Sequence, residues 1–275
     1  MAASVLTIVA GVLVGSSIFL YFLQDRLIFF RQPLDPGRRD SVLQRFPNVE
    51  EVNLVAQDGT RLHGFLSKPA AVAGTKFPLV IYFGGNAEEA SWLLEEGERP
   101  QDWAWLAVNY RGYGWSEGSP GEQAMAADAR LIYDWTRLRS DIEHSRIVAF
   151  GRSLGSGVAV RLASERPLAG IVLATPFDSL ESVAKHHYPF APVSLILRHR
   201  FDSLALAPRI GVPMLCIVAE RDSIIPAEHA RRLFAAWQGD KRLVSIANAD
   251  HNDVSANAAF WREIGNFLSR ISGIR

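Results

Sequence analysis

The feature that most constrains the fold is a tight turn between an apolar segment and a helix-like segment. Residues 147–150 predict a buried strand, residues 158–164 predict a helix, and the sequence GRSLG at residues 151–155 lies between them. A turn this sharp places Ser153 in a strained backbone conformation with its hydroxyl exposed, and it requires glycine-sized residues on either side. The alternative is a glycine-rich turn that contains a serine by chance, so the partners of a reactive serine must be found elsewhere.

A reactive serine needs a base that takes its proton and an acid that orients the base. Asp222 follows the apolar residues 213–219, and His251 follows the short apolar segment at residues 243–246. Both therefore lie on loops at the ends of predicted strands, where open α/β sheets build their sites. We assign Ser153 as the nucleophile, His251 as the base and Asp222 as the acid, in the chain order Ser, Asp, His.

Two other carboxylates compete with Asp222 for the role of the acid. Asp178 follows the predicted strand at residues 171–174, and Glu220 lies close to Asp222 in the chain. Asp222 itself has an alternative interpretation, as an ordinary helix N-cap. Of the seven histidines, His251 alone follows the last predicted strand.

The oxyanion of a tetrahedral intermediate needs preorganised hydrogen-bond donors. We predict one donor to be the backbone N–H of Leu154, directly after the serine. The other is predicted in the loop after the strand at residues 79–83, where two glycines let the backbone approach closely. Asn86 N–H is the expected donor, with Gly85 as its neighbour, and a simple tight turn is the alternative.

In their combination and order, these motifs resemble the α/β-hydrolase superfamily across residues 50–275. The resemblance is to the membrane-anchored serine hydrolases related to the palmitoyl-protein depalmitoylases and to the single-domain relatives of prolyl oligopeptidase. The matching segments are GGNA at residues 84–87, NYRGYGWSEG at 109–118, GRSLG at 151–155, Asp222 and DHN at 250–252. The resemblance implies an α/β-hydrolase fold. The sequence departs from the family where a histidine usually opens the oxyanion loop, because Phe83 and Gly84 occupy that region.

Apolar segments alternate with helix-like stretches along most of the chain, which predicts βα units and a mainly parallel, twisted sheet flanked by helices. An antiparallel hairpin is expected first, from residues 49–55 and 61–66. With 275 residues, of which 48% are hydrophobic, the chain can bury one large core. We therefore predict a single catalytic domain in residues 49–275.

Residues 176–208 are the longest excursion between predicted strands, and we expect them to form a small cap over the site. The sequence FDSL occurs twice in this cap segment, at residues 177–180 and 201–204, and predicts two helix N-termini. His187 and Tyr188 are predicted substrate contacts. Six side chains of the cap segment could form an apolar wall that binds the acyl group, and ordinary packing is the alternative. They are Val183, Tyr188, Phe190, Val193, Leu195 and Leu197.

No motif indicates a cofactor or a metal. A dinucleotide fingerprint at residues 112–117 would need glycine where Glu117 stands, and the chain has neither a Walker loop nor an HExxH motif. The adjacent histidines 186 and 187 lack the spacing of zinc ligands. The net charge of +0 argues against a nucleic-acid partner, and Cys216, the single cysteine, cannot form an intramolecular disulfide.

Residues 2–23 contain no charged side chain, and a helix of that length is ~33 Å long, enough for a bilayer core of about 30 Å. We predict a transmembrane anchor in residues 1–24 and a juxtamembrane connector in residues 25–48. Residues 27–30 are expected to dock on the domain or to lie at the lipid interface. A cleaved signal peptide is the alternative, but no basic residue precedes the apolar run and no A-x-A site closes it. Arginines after the span favour a single-pass protein of the cell membrane with a cytoplasmic catalytic domain.

Together these features predict a membrane-anchored serine hydrolase that cleaves carboxylic esters or thioesters through an acyl-enzyme. Its expected substrate is a small acyl ester or a lipidated molecule. A serine peptidase of the prolyl-oligopeptidase type is an alternative, weakened because no propeller or other gating domain precedes the hydrolase core. A noncatalytic, membrane-bound interaction module with the same fold is a further alternative.

Overall fold

The computed structural model describes residues 2–33, 35–70 and 74–273. The strands of the described residues are β1 (Val49–Val55), β2 (Arg61–Ser67), β3 (Phe77–Phe83), β4 (Ala104–Val108), β5 (Ile142–Arg152), β6 (Gly170–Ala174), β7 (Met214–Ala219) and β8 (Lys241–Ile246). The α-helices are α1 (Ala2–Ile28), α2 (Pro36–Arg45), α3 (Glu122–Thr136), α4 (Leu154–Glu165), α5 (Leu180–His187), α6 (Val193–Ile196), α7 (Ser203–Leu206), α8 (Ala227–Ala236) and α9 (Ala258–Ser272). Short 3₁₀ helices span Ala90–Glu95, Ala207–Arg209 and Val254–Ala256.

The strands form one sheet in the order β1-β2-β4-β3-β5-β6-β7-β8. The pairs β1/β2 and β2/β4 are antiparallel, and the remaining neighbours are parallel. The predicted hairpin and the mainly parallel sheet are confirmed. Because β3, β5, β7 and β8 run in the same direction, the loops that follow them meet at one edge of the sheet.

Apolar side chains alternate between the two faces of the central strands. In β3, Leu79 and Ile81 belong to one buried cluster and Val80 to the other. The first cluster also contains side chains of α3, α4 and α8, whereas the second contains side chains of α9 and of the 3₁₀ helix Ala90–Glu95. A sheet apolar on both faces needs helices on both faces to exclude water, which explains the three layers.

The N-terminal segment differs in its boundaries from the expectation. Helix α1 continues through residues 25–28 of the expected connector, where no proline interrupts it before Pro33. The expected connector also contains helix α2. Within the part of the chain that the structure describes, no helix is long and apolar enough to cross a membrane. Residue 1 of the expected anchor, residue 34 of the expected connector, and residues 71–73 and 274–275 of the expected catalytic domain lie outside the described residues.

Residues 29–33 dock on the catalytic domain. Phe29 is 3% exposed and its ring lies 5.1 Å from that of His199, edge to face. The N–H of Gly114 donates to the carbonyl of Gln32 at 2.6 Å. Of the two placements expected for residues 27–30, docking therefore holds for Phe29, whereas Phe30 is largely exposed.

The cap segment, residues 176–208, contains α5, α6 and α7. Both FDSL sequences begin helices, as predicted: the Ser179 hydroxyl accepts from Ser182 N–H at the start of α5, and the Asp202 carboxylate accepts from Ala205 N–H at the start of α7. The phenylalanines of the two repeats are buried and their rings lie 6.5 Å apart. The two helix starts are thus packed against each other within the cap segment.

Candidate active site

The turn that contains Ser153 has the strained geometry that its sequence predicts. Strand β5 ends at Arg152 and helix α4 begins at Leu154, and Ser153 between them has φ 50° and ψ −119°. A Cβ atom on Gly155 would lie 2.0 Å from the carbonyl oxygen of Phe83, and one on Gly151 would lie 2.4 Å from the carbonyl oxygen of Gly155. Only glycine fits at these two positions. The close backbone packing that the two glycines allow keeps Ser153 in its strained conformation.

A hydrogen-bonded chain joins Ser153, His251 and Asp222. His251 Nε2 lies 2.7 Å from Ser153 Oγ, and His251 Nδ1 lies 2.7 Å from Asp222 Oδ2. Asp222 lies on the loop after β7 and His251 on the loop after β8, and both are buried. The second carboxylate oxygen of Asp222 accepts from the N–H groups of Ile224 and Ile225 at 3.0 and 2.6 Å. The carboxylate is therefore held in position from both sides.

Asp250 connects the two loops that carry Asp222 and His251. Its Oδ1 accepts from Ser223 N–H at 2.9 Å and from His251 N–H at 2.7 Å. The backbone hydrogen bonds from Ser223 and His251 lower the pKa of the Asp250 carboxyl below its ordinary value. In the sequence, Asp250 stands out only as the neighbour of the histidine, because its partner on the other loop, Ser223, is distant in the chain.

The loop after β3 lies directly above the serine. A Cβ atom on Gly85 would lie 3.5 Å from Ser153 Cβ, and Ala87 adopts the left-handed φ of 62°. Leu154 is the first residue of α4, and the first N–H groups of a helix have no acceptor within it. Ser153, Leu154 and Asn86 line one cavity, and Gly85 lies beside Ser153. The role of Leu154, Asn86 and Gly85 as oxyanion donors stays a prediction.

The NYRGYG segment, residues 109–114, holds the loop after β3 in place. Tyr110 donates its hydroxyl to the carbonyl of Gly84 at 2.8 Å, and Tyr113 donates its hydroxyl to Asn86 Oδ1 at 2.8 Å. Phe30 N–H also donates to Asn86 Oδ1, at 2.9 Å. Burial raises the pKa of the Tyr113 phenol, so it remains a donor at neutral pH. The motif thus positions the predicted oxyanion loop, residues 84–87, from a distant part of the chain.

Comparison with known proteins gives relatives that match most of the chain, although no family model matches it. An uncharacterised protein of Mycobacterium tuberculosis, Rv2307c, is 37% identical over 254 residues, which are 92% of this chain and 89% of the relative. The α/β-hydrolase domain-containing protein WAV2 of Arabidopsis thaliana is 25% identical over 94% of this chain and 92% of its own length. The uncharacterised membrane protein YNL320W of Saccharomyces cerevisiae is 28% identical over 90% of each chain.

Solved structures show the same fold. An acetyl xylan esterase from Paenibacillus sp. R4 has a TM-score of 0.66 at 16% identity and covers 90% of this chain and 98% of its own. The esterase Pf2001 of Pyrococcus furiosus has a TM-score of 0.65 at 18% identity, with coverages of 89% and 98%. The chain belongs to the α/β-hydrolase superfamily. The expected resemblance to the superfamily is confirmed, whereas membership of its membrane-anchored branch stays a prediction.

In this α/β hydrolase, neither rival carboxylate contacts His251. Asp178 accepts from His229 Nδ1, from Arg232 Nε and from Ser179 N–H, each at 2.7 Å. Burial of Asp178 opposes its ionisation, but these hydrogen bonds outweigh burial and lower its pKa. Glu220 pairs with Arg231 at the surface. Asp178 therefore belongs to a separate buried cluster between the cap and α8.

An ion pair that sequence reasoning missed lies beneath the oxyanion loop of the hydrolase. Arg152, the residue before the serine, donates to Glu88 Oε1 at 2.6 Å, and the Tyr82 hydroxyl donates to Glu88 Oε2 at 2.7 Å. A Cβ atom on Gly85 would lie 2.9 Å from Glu88 Oε1. The pair thus connects the serine turn to the oxyanion loop. Its only signal in the sequence was the position of Arg152 within the GRSLG turn.

A cavity of about 400 Å³ opens onto Ser153. His187 and Tyr188 line it, and His187 Nε2 lies 2.8 Å from the carbonyl oxygen of Ile224. Of the other side chains weighed as an acyl-binding wall, Val183, Val193 and Leu197 line the cavity. Phe190 and Leu195 are 95% and 86% exposed and do not line it. Within the described ranges, no three His, Cys, Asp or Glu side chains are grouped so that they could hold a metal ion.

Proposed function

We propose that this α/β hydrolase is a serine hydrolase that cleaves carboxylic ester or thioester bonds through an acyl-enzyme. The observation that carries the proposal is the continuous chain from Ser153 Oγ through His251 to the buried Asp222, with the serine facing a cavity. Nucleophile, base and orienting acid at hydrogen-bond distance are the signature of this chemistry.

In the proposed reaction, Ser153 Oγ attacks the acyl carbonyl carbon while His251 Nε2 takes the hydroxyl proton. The N–H groups of Leu154 and Asn86, with Gly85 beside them, stabilise the oxyanion. The intermediate then expels the alcohol or thiol, which receives the proton from His251, and the acyl group stays on the serine. A water molecule activated by His251 attacks the acyl-enzyme, the carboxylic acid leaves, and the proton returns to Ser153. Asp222 stabilises the imidazolium and keeps Nδ1 protonated.

Two findings favour esters and thioesters over amides. The cavity beside Ser153 is lined mainly by apolar side chains, which suits an acyl chain better than a polar peptide backbone. Two solved proteins with the same fold are esterases by name. Peptide hydrolysis and a purely noncatalytic role are the competing outcomes of the test.

The test measures turnover of matched ester, thioester and anilide substrates by the purified full-length protein. We expect hydrolysis of a butyryl ester and of a butyryl thioester, with the corresponding anilide at least about 100-fold slower in kcat/KM, because amine leaving groups are harder to expel. Faster turnover of a prolyl anilide would favour a peptidase. If the folded protein hydrolyses none of these substrates, the result would favour the noncatalytic role.

We further propose that residues 2–23 hold the hydrolase at a membrane as a single-pass anchor, with the catalytic domain in the cytoplasm. The support is the absence of a charged side chain in this segment and the naming of one relative as a membrane protein. Tethering would bring the site close to lipidated substrates and would raise their effective concentration.

Membrane attachment predicts that the full-length protein resists extraction by carbonate and by high salt. Replacing Gly11 and Gly15 together by arginine should release it, since each arginine at the centre of a span costs about 3 kcal/mol. Both glycines have open space around their Cα atoms, so the change adds no clash to the described fold. The matched variant with alanine at both positions should remain in the pellet. Extraction of the wild-type protein by carbonate, or recovery of a chain shortened at its N-terminus, would contradict the anchor.

A further inference from the structure

One wall of the cavity beside Ser153 comes from the N-terminal helix, which sequence reasoning treated only as an anchor. We propose that the last turns of α1 are part of the substrate site and, with the cap segment, bind a medium or long aliphatic acyl chain. The inference rests on the proposed function, because it names the substrate class of the same serine. It makes α1 a determinant of chain-length preference.

The position of α1 against the cavity is fixed by Gln24. This side chain is 6% exposed, and its Nε2 donates to the carbonyl of Ile196 at 3.0 Å while its Oε1 accepts from Arg198 N–H at 2.8 Å. Asp25 adds an ion pair with Arg198 and a 3.0 Å contact with His199 Nε2. Both hydrogen bonds of this buried amide form only when α1 and the cap segment have one particular relative position, and loss of either would leave a buried polar group unpaired. Helix α1 is therefore held against the cap segment in one register.

The surface enclosed between α1 and the cap segment is almost entirely hydrocarbon. Leu20, Leu27 and Ile28 of α1 face the cavity, together with Phe30. The rest of the lining comes mainly from apolar side chains of the cap segment and of the loop after β7, among them Phe177, Leu180, Val183, Ile196, Leu197 and Ile225. These walls offer a ligand apolar contacts along the length of the cavity.

Three polar side chains of the cavity, Gln24, Asn86 and His187, already have hydrogen-bond partners in the protein. Gln24 is used by the backbone of the cap segment, and Asn86 Oδ1 accepts from Phe30 N–H and from the Tyr113 hydroxyl. His187 Nε2 lies 2.8 Å from the carbonyl oxygen of Ile224. A ligand beyond the reacting carbonyl thus meets few free hydrogen-bonding groups. An unbranched hydrocarbon chain fits this surface, whereas a sugar or peptide chain would leave its own polar groups unpaired.

A chain that fills the cavity should gain roughly fourfold in kcat/KM for each buried methylene. We therefore expect p-nitrophenyl octanoate and laurate to be far better substrates of the full-length protein than the acetate ester. The preference should depend on α1, since the helix supplies one wall, while the acetate ester needs only the site around Ser153.

The test places a large side chain in the α1 wall. Leu27→Trp and, as a second variant, Leu20→Trp should lower kcat/KM for the laurate ester by about tenfold or more relative to kcat/KM for the acetate ester. The matched control is Ile18→Trp on the exposed part of the same helix, outside the cavity lining. It should leave both substrates unchanged.

A variant of Gln24 tests its role as a positioning residue. Gln24→Leu keeps the volume but removes both hydrogen bonds to the cap segment, so KM for the laurate ester should rise more than KM for the acetate ester. Gln24→Glu keeps the acceptor for Arg198 N–H and should raise that KM less.

Equal losses on acetate and laurate in both tryptophan variants, with unchanged melting temperature, would overturn the acyl wall and leave the proposed function intact. A wild type that turns over acetate as well as laurate would also overturn it. Failure of the proposed function would look different, since the wild type would hydrolyse no ester in a Ser153-dependent way.

Discussion

Replacing Ser153 by alanine is expected to abolish labelling by a fluorophosphonate probe and to lower ester hydrolysis by about 10⁴-fold or more. The probe needs an activated hydroxyl, and Ser153 Oγ is the hydroxyl that lies 2.7 Å from His251 Nε2. The alanine keeps the glycines that surround the turn, so the strained backbone has no new clash to accommodate. The measurement is in-gel fluorescence of the purified protein together with turnover of a butyryl ester.

Ser164→Ala is the matched control for this prediction. Ser164 lies on the same helix, α4, is exposed, and donates its hydroxyl to the carbonyl of Arg161. It should label and turn over like the wild type. If the Ser153→Ala protein still reacts with the probe at the wild-type rate, the nucleophile is another residue and the assignment of the site is wrong.

Replacing Asp222 by asparagine is expected to lower kcat by about 10⁴-fold without loss of the fold. The amide keeps the shape of the carboxylate, but it no longer favours the His251 tautomer protonated at Nδ1 and no longer stabilises the imidazolium. The change is isosteric, so the melting temperature should fall only slightly. Steady-state turnover of a short ester measures the loss.

Asp178→Asn is the matched control for the acid, because Asp178 is also buried and also bonded to a histidine. It should keep most of the activity, since His229 is not the histidine that contacts Ser153. Its effect should instead be on stability: the pKa of Asp178 is lowered in the folded state, so its contribution is present at neutral pH and is lost as pH falls. A larger loss of turnover in Asp178→Asn than in Asp222→Asn would transfer the role of the acid to Asp178.

Local sequence patterns predicted those structural elements whose conformation is set by residues close to one another in the chain. The buried strands were visible as apolar runs, and the serine turn was visible because close backbone approach at residues 151 and 155 admits only glycine. The chain order of Ser153, Asp222 and His251 followed from their positions after predicted strands. Asp222 was preferred from the sequence, but Asp178 stayed an alternative because both follow apolar strands. The 2.7 Å distance from Asp222 to His251 Nδ1 distinguishes them, since Asp178 contacts His229 instead.

The sequence by itself determined the sheet, the serine turn and the class of chemistry to expect, because each is encoded in short segments whose periodicity or small residues have one physical meaning. Only the tertiary structure decided how distant segments meet. It placed Glu88 under the oxyanion loop with Arg152, and it placed Gln24 of α1 against the cap segment. These contacts join residues 64 and 172 positions apart. No local pattern encodes such a pairing, since it depends on how the strands and helices pack together.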